Sequence, residues 1–192
     1  MKDLEPPARE RLYRDLFVDE RYHLMRATFL GKLDRGLNFL VAACGSAALV
    51  GAFAVLEKDT PTLGKALIFA AGVVVVVASG VLAAYGPGRR AGEHARQGDA
   101  YARVLAAVLA LKPDQADELE ALERERAALE RAEEETFHAV YRMAQNRLCV
   151  ELNLEASDYG YLSRRQRCFA HVLHFCGIGN PTFVKNLPEK PA

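Results

Sequence analysis

Residues 37–56 read LNFLVAACGSAALVGAFAVL, and residues 66–86 read ALIFAAGVVVVVASGVLAAYG. At about 1.5 Å of rise per residue, about 20 helical residues cross a hydrocarbon layer roughly 30 Å thick, and both runs meet that length. No Asp, Glu, Lys or Arg occurs in 36–56 or in 66–88, so all 25 Lys and Arg and all 25 Asp and Glu lie elsewhere. A single soluble core does not sort its charges this way. A buried soluble hairpin is therefore the weaker reading and a pair of membrane spans the stronger. A signal sequence is disfavoured too, because the first run is too long for an apolar signal core and follows a charged segment.

Working outward, the linker 57–65 reads EKDTPTLGK. It is polar and carries Pro61 and Gly64 as helix breakers, so the spans 37–56 and 66–86 form an antiparallel hairpin within 36–88. Orientation follows from Lys and Arg near the span ends. Arg21, Arg26, Lys32 and Arg35 precede the hairpin, and Arg89, Arg90, Arg96 and Arg103 follow it, against Lys58 and Lys65 in the linker. That asymmetry predicts both termini in the cytoplasm. Neither span holds an Asp, Glu, Lys, Arg or His side chain; Asn38, Ser46, Ser79 and Cys44 supply polar atoms, as does Tyr85 at the far end of the second span. Pumps, ion-coupled carriers and voltage sensors need charge at depth, so those classes are disfavoured. Small residues recur at helical spacing: Ala43, Ala47 and Gly51 in the first span, and Gly72, Gly80 and Ala84 in the second. Such faces let helices approach closely in lipid, either within one hairpin or between protomers, and both uses stay open.

Residues 1–35 predict an amphipathic helix starting near Pro7, with Leu12, Leu16, Leu24 and Leu30 on its apolar side beside Tyr13 and Phe17. It either lies on the membrane or continues into the first span, and a lipid-facing surface and an ordinary solvated one are equally open. Beyond the hairpin, Gly86-Pro87-Gly88 predicts a helix end. Tyr101, Leu105, Val108 and Leu109 then mark a helix that Lys112-Pro113-Asp114 breaks. A long helix is predicted from 114 to 152, with Leu119, Leu122, Leu129, Phe137, Val140, Ala144 and Leu148 as its stripe. Seven-residue steps from Leu122 reach Leu129 but then meet Thr136 and Met143, so 89–154 reads as a cytoplasmic helical hairpin and not a two-stranded coiled coil. The charge run 130–135 reads as a solvated helix face. The tail 155–192 is punctuated by Gly and Pro and is read as regulatory, docking as a short helix over 165–175. The expected fold is an all-α membrane protein: N-terminal amphipathic helix, two-span transmembrane hairpin, cytoplasmic helical hairpin.

The balance of charge argues against a general nucleic-acid binder, which carries a basic excess. Cys168, His171, His174 and Cys176 form the densest group of soft ligands, but C-x2-H-x2-H-x-C is not a standard zinc spacing, and packing is the preferred reading. The four cysteines of a cytoplasm-facing chain are expected to stay reduced. No nucleophile elbow, phosphate loop, zincin motif or dinucleotide fingerprint is present. Glu93 and His94 beside Arg89 and Arg90 read as a solvated face near the membrane and not as a catalytic pair. No catalytic, cofactor-binding or metal-binding residue is expected, and no enzyme.

The stretches RYHLMRATFLGKLDRGLNFLVAACGS (21–46) and GRRAGEHARQGDAYARVLAAV (88–108), set in a layout of charged helix, hairpin and cytoplasmic helices over 12–152, resemble the SLATT domain. That family comprises two-span effector modules associated with bacterial nucleotide-signalling immunity. The resemblance implies a homo-oligomer that permeabilises or depolarises the bacterial inner membrane in abortive infection against phage. It would stay silent until a sensor or signalling partner, encoded nearby, releases it. The family suggests no catalytic residue, and the tail from 155 lies outside its common core. The alternative from another class is a scaffold whose hairpin anchors a helical interaction domain.

Overall fold

The computed structural model describes residues 8–56, 62–112, 115–133, 136–153 and 160–173. Among them every regular element is a helix: α1 Ala8–Leu56, α2 Thr62–Tyr85, α3 Pro87–Ala110, α4 Ala116–Arg131, α5 His138–Glu151 and α6 Arg164–Phe169. They form two compact units. One is Ala27–Gly92; the other joins Met1–Arg26 to Glu93–Ala192. Both α1 and α3 contribute residues to each unit.

In the unit 27–92, α1 runs unbroken through Gly31 and Gly36, so the charged N-terminal helix continues into the first apolar run. A glycine inside a helix costs only about 1 kcal/mol, which neighbouring turns absorb. The apolar parts of α1 and α2 are long and apolar enough to cross a membrane. The less exposed positions trace a seam at spacings of three and four: Leu37, Val41, Cys44, Ala48 and Gly51 on α1, and Ile68, Ala71, Val75, Ala78 and Leu82 on α2. A Cβ placed on Gly51 would overlap Cγ1 of Ile68, so glycine is what lets the two helices meet there. The opposite faces are bare: Phe39 is 72% exposed, Phe69 75% and Val76 72%. The helix end predicted at Gly86 is present. Gly86 has φ of 58°, the left-handed conformation that glycine adopts without Cβ strain, and its N–H donates to the Leu82 carbonyl at 3.2 Å. Pro87 then opens α3, where its missing N–H has no consequence. A Cβ on Gly88 would stand 2.8 Å from Oδ1 of Asp34, so the start of α3 lies against the Asp34 side chain of α1.

The other unit is built around one core. Leu12, Leu16, Phe17 and Tyr22 of α1 meet Tyr101, Val104, Leu105 and Val108 of α3, and Val140, Ala144 and Leu148 of α5. Leu119, Leu122 and Leu129 of α4 pack against the same cluster. The apolar face of the N-terminal helix is thus covered by protein, neither left to solvent nor free to lie on lipid. Arg9 donates from Nε to the Val108 carbonyl at 3.2 Å and from Nη2 to that of Leu109 at 3.0 Å, placing a cation at the negative end of α3. Leu109 itself is exposed; Val104 takes the core position expected of it.

Two expectations over the later helices are corrected. The helix predicted from 114 to 152 is broken between α4 and α5. The Ala132 and Glu133 N–H groups close back on Leu129 and Glu130, and the Phe137 N–H donates to the Tyr22 hydroxyl at 3.2 Å. Tertiary partners outbid helical continuity over those residues. The short tail helix runs over Arg164–Phe169, ahead of the predicted 165–175. Ser163 starts it with a capping box. Its hydroxyl accepts from the Gln166 N–H at 3.2 Å, and its own N–H donates to Oε1 of Gln166 at 2.9 Å. Leu162 and Ala170 are buried in the same core. The Asn146 amide holds Gly160 by both backbone atoms, at 2.8 and 2.9 Å, as a strand neighbour would.

Candidate functional site

The most concentrated chemistry lies in the unit formed by Met1–Arg26 and Glu93–Ala192. His23 of α1 is 1% exposed, yet both ring nitrogens are engaged. Nδ1 lies 3.0 Å from Nδ1 of His94 on α3, and Nε2 lies 2.9 Å from Oε1 of Glu133, in the α4–α5 connection. The Tyr101 hydroxyl donates to that same Glu133 oxygen. The ring of His23 stacks on Tyr101, with centroids 5.4 Å apart and planes 13° from parallel, and Tyr22 presents its edge to both imidazoles.

These contacts constrain the protons. An oxygen that accepts from both a phenol and an imidazole is a carboxylate oxygen, so Glu133 is an anion and His23 carries a hydrogen on Nε2. One hydrogen lies between the two Nδ1 atoms: a His23 with a lone pair there accepts it from His94, and a His23 with hydrogen on both nitrogens donates it to His94. Burial, reinforced by the Glu133 charge, pushes the Tyr101 phenol well above its usual range, so Tyr101 stays a donor.

One turn before His23, Asp19 accepts from Nε of Arg126 at 3.1 Å, and Nη1 of Arg126 stands 3.4 Å from Asp15. Burial raises Asp19 to about 6 even though Arg126 pulls the other way. Asp15 is raised for the same first reason. One turn after His23, Arg26 is buried with its guanidinium 3.9 Å over the Phe137 ring, and it donates to the His171 carbonyl at 2.6 Å. Burial first, and then the Arg26 charge, lower His171 to about 4, so it is neutral at pH 7. A buried chain of this kind joins α1, α3 and the α4–α5 connection; a solute reaches His23 only if the helices part.

This arrangement corrects two expectations. The run 130–135 is not wholly a solvated face, because Glu133 turns inward to His23 and Tyr101. His94, expected on a solvated face, is half-buried and meets His23. A signal for both histidines was present in the spacing. Leu16, His23 and Leu30 step by seven along α1, as His94, Tyr101 and Val108 do along α3, so each histidine occupies a core position of its helix. Glu133 had no such signal, since its position depends on the break after α4.

Of the helix-packing residues expected from sequence, Gly51 sits in the α1–α2 seam and Gly72 borders it, whereas Ala43, Ala47, Gly80 and Ala84 are exposed. The seam uses Cys44 and Ala48, one residue on from Ala43 and Ala47. Of the Cys and His group, Cys168 is exposed on α6 and His171 follows it, while His174 and Cys176 lie outside the described residues. Among the described residues no three His, Cys, Asp or Glu side chains are grouped to hold a metal ion. No family model, no curated protein and no solved structure matches this chain.

Proposed function

We propose that this protein is a two-span membrane effector of the SLATT type, which oligomerises and permeabilises or depolarises the bacterial inner membrane in antiphage defence. The membrane half of the reading is carried by one observation. The uncharged parts of α1 and α2 turn Phe39, Leu49, Val50, Leu67, Phe69 and Val76 outward, a bare apolar surface that water would not tolerate and lipid would. The Lys and Arg asymmetry at the span ends supports a topology with both termini in the cytoplasm. The effector half is supported by the resemblance carried by residues 21–46 and 88–108, and by spans without charge, which suit an unselective path better than a coupled carrier.

A monomer offers two spanning helices, which enclose no lumen, and a dimer's four would fill their own centre with side chains. A water-filled path therefore needs roughly four or more protomers by the same packing reasoning. A sensor or signalling protein encoded nearby would release it; no cofactor and no nucleic acid is required. The test is induced expression followed by alkaline washing and crosslinking of the membranes. The reading expects the chain to stay in the washed membranes and to crosslink beyond a dimer when triggered. Recovery in the soluble fraction would remove the membrane reading. A membrane-bound chain that never crosslinks beyond a monomer would instead favour the anchored scaffold.

A further inference from the structure

We infer that the short tail helix α6 docks on α4 of a second copy of this chain, a basic and apolar surface against an acidic trough. The ground is the uneven spread of charge in a chain whose formal total is zero. Residues 159–188 contain no Asp or Glu and carry Arg164, Arg165, Arg167 and Lys185. On α4 the balance is opposite: Asp117, Glu118, Glu120, Glu123, Glu125 and Glu130 are exposed, against Arg124 and Arg131. The α6 surface has the layout of a docking helix. The Leu173 N–H donates back to the Phe169 carbonyl at 3.0 Å, so one further turn follows Phe169. Phe169, Val172 and Leu173 then share a face at the i, i+3 and i+4 spacing of helix anchors, and all three are exposed. Arg165 stands one turn before Phe169 on that face, and exposed Arg164 and Cys168 border it. Buried Leu162 and Ala170 hold the other side of the segment to the core, so this face stays outward while α6 is in place.

The outer side of α4 offers the matching shape. Leu119, Leu122 and Leu129 pack toward the core and Arg126 toward Asp15 and Asp19, which leaves Ala121 and Ala128 exposed on the far side. The two alanines lie seven residues apart, about two turns along one face, and form a shallow trough where larger side chains can seat. Glu118 and Glu125 repeat the same step beside them, and Asp117 stands at the near end. Arg124 lies 3.9 Å from Glu120, and Glu118 accepts from the Gln115 amide at 3.3 Å. Among the described residues no cation of the chain stands within ion-pair distance of Asp117, Glu118 or Glu125.

The occupant is another copy because each helix is already fixed in its own. Arg126 ties α4 to α1, while Arg26 holds the His171 carbonyl after α6 and Asn146 holds Gly160 before it. No ion pair joins α4 to α6 within the chain among the described residues. Exposed ion pairs add little energy singly, so the three apolar side chains supply the affinity and the charges set partner and register. The contact joins two different surfaces and is therefore head-to-tail: each copy gives α6 to one neighbour and receives α6 from another. Such contacts build a ring where the rotation closes and a filament where it does not. A ring is the assembly that a lumen between protomers needs, so the inference deepens, and rests on, the homo-oligomer proposed above.

The experiment is site-directed crosslinking of full chains in the membranes of induced and triggered cells. Two differently tagged chains are made together, both with Cys44, Cys149 and Cys176 replaced by alanine. One keeps Cys168; the other carries Cys168→Ser and Ala121→Cys. A short bismaleimide is expected to join the two chains. Arg164→Glu with Arg165→Glu on the first chain should abolish the product, and so should Glu118→Lys with Glu125→Lys on the second. Combining the two reversals should restore it, which a variant that merely fails to fold does not do. A product that either reversal leaves unchanged, or reversals that fail to rescue each other, overturn the contact. So does a crosslink that forms only within one chain carrying both cysteines, which would seat α6 on its own α4. Cys168 shielded from a water-soluble maleimide in vesicles containing anionic lipid, with no crosslink between copies, would give α6 to the lipid surface and overturn it as well. Formaldehyde on the same membranes separates this inference from the reading beneath it. Oligomers captured by formaldehyde without the Cys168 product remove the α6–α4 contact and leave the homo-oligomer standing, whereas no oligomer with either reagent removes both.

Discussion

His171 and Asp19 are displaced in opposite directions by the same cause, burial, and so give opposite pH signatures. His171 is held neutral, with its titration lowered from 6.5 to about 4. Its contribution to stability is complete above the ordinary histidine value and is lost as pH falls from about 6.5 through about 4. His171→Asn should therefore flatten the acid side of a plot of unfolding midpoint against pH; an unchanged acid limb would show that the ring is not held as described. Asp19 is raised from 3.8 to about 6, so it binds its proton more tightly folded than unfolded. Its contribution is complete below the unfolded value and is lost as pH rises through about 6. Asp19→Asn should keep near neutrality the stability that the parent has already lost there, provided the amide still accepts from Arg126. Glu133→Gln leaves an amide where an anion accepted from His23 and Tyr101. It should cost about 1–3 kcal/mol of unfolding free energy, the usual cost of breaking a buried hydrogen bond to a charged group. A change within a few tenths would mean that Glu133 is solvated after all.

At the scale of the element, glycine decides where α1 and α2 touch. Gly51 faces Ile68 with no room for a Cβ, whereas nothing stands within 4 Å of a Cβ on Gly80. Gly51→Leu should therefore separate the hairpin within one chain, read as faster exchange of the α2 amides near Ile68. Gly80→Leu should leave that exchange unchanged and, in the proposed oligomer, reduce crosslinking and toxicity. A Gly80→Leu chain that crosslinks and kills like the parent would exclude that face as the contact. The two apolar helices, the stop at Gly86 and the apolar stripes of α4 and α5 were legible because each rests on local chemistry: span length, a left-handed glycine before proline, and helical spacing. The break between α4 and α5 was not. Residues 130–135 are strong helix formers by composition, and what bends the chain there is remote, namely Tyr22, His23 and Tyr101 drawing in Glu133 and the Phe137 N–H. The same distance in sequence hid the site. Seven-residue steps put His23 and His94 on core faces, but only the fold shows that those two faces meet.

For the whole molecule, the chain order places a hairpin between two parts of one helical unit, and that order makes both topology and activity testable. The Lys and Arg asymmetry predicts that a cysteine at Thr60→Cys, in a chain otherwise free of cysteine, is labelled by an impermeant reagent added outside the inner membrane. Labelling only after lysis would reverse the orientation. Activity is tested most directly by the membrane potential of single cells, followed with a potential-sensitive dye during induction, with and without the neighbouring genes and their trigger. The account predicts that triggered cells lose their potential before growth stops, and that Gly80→Leu cells, with equal protein in the membrane, keep it. A potential that holds in every arm while the protein accumulates in the membrane would contradict it.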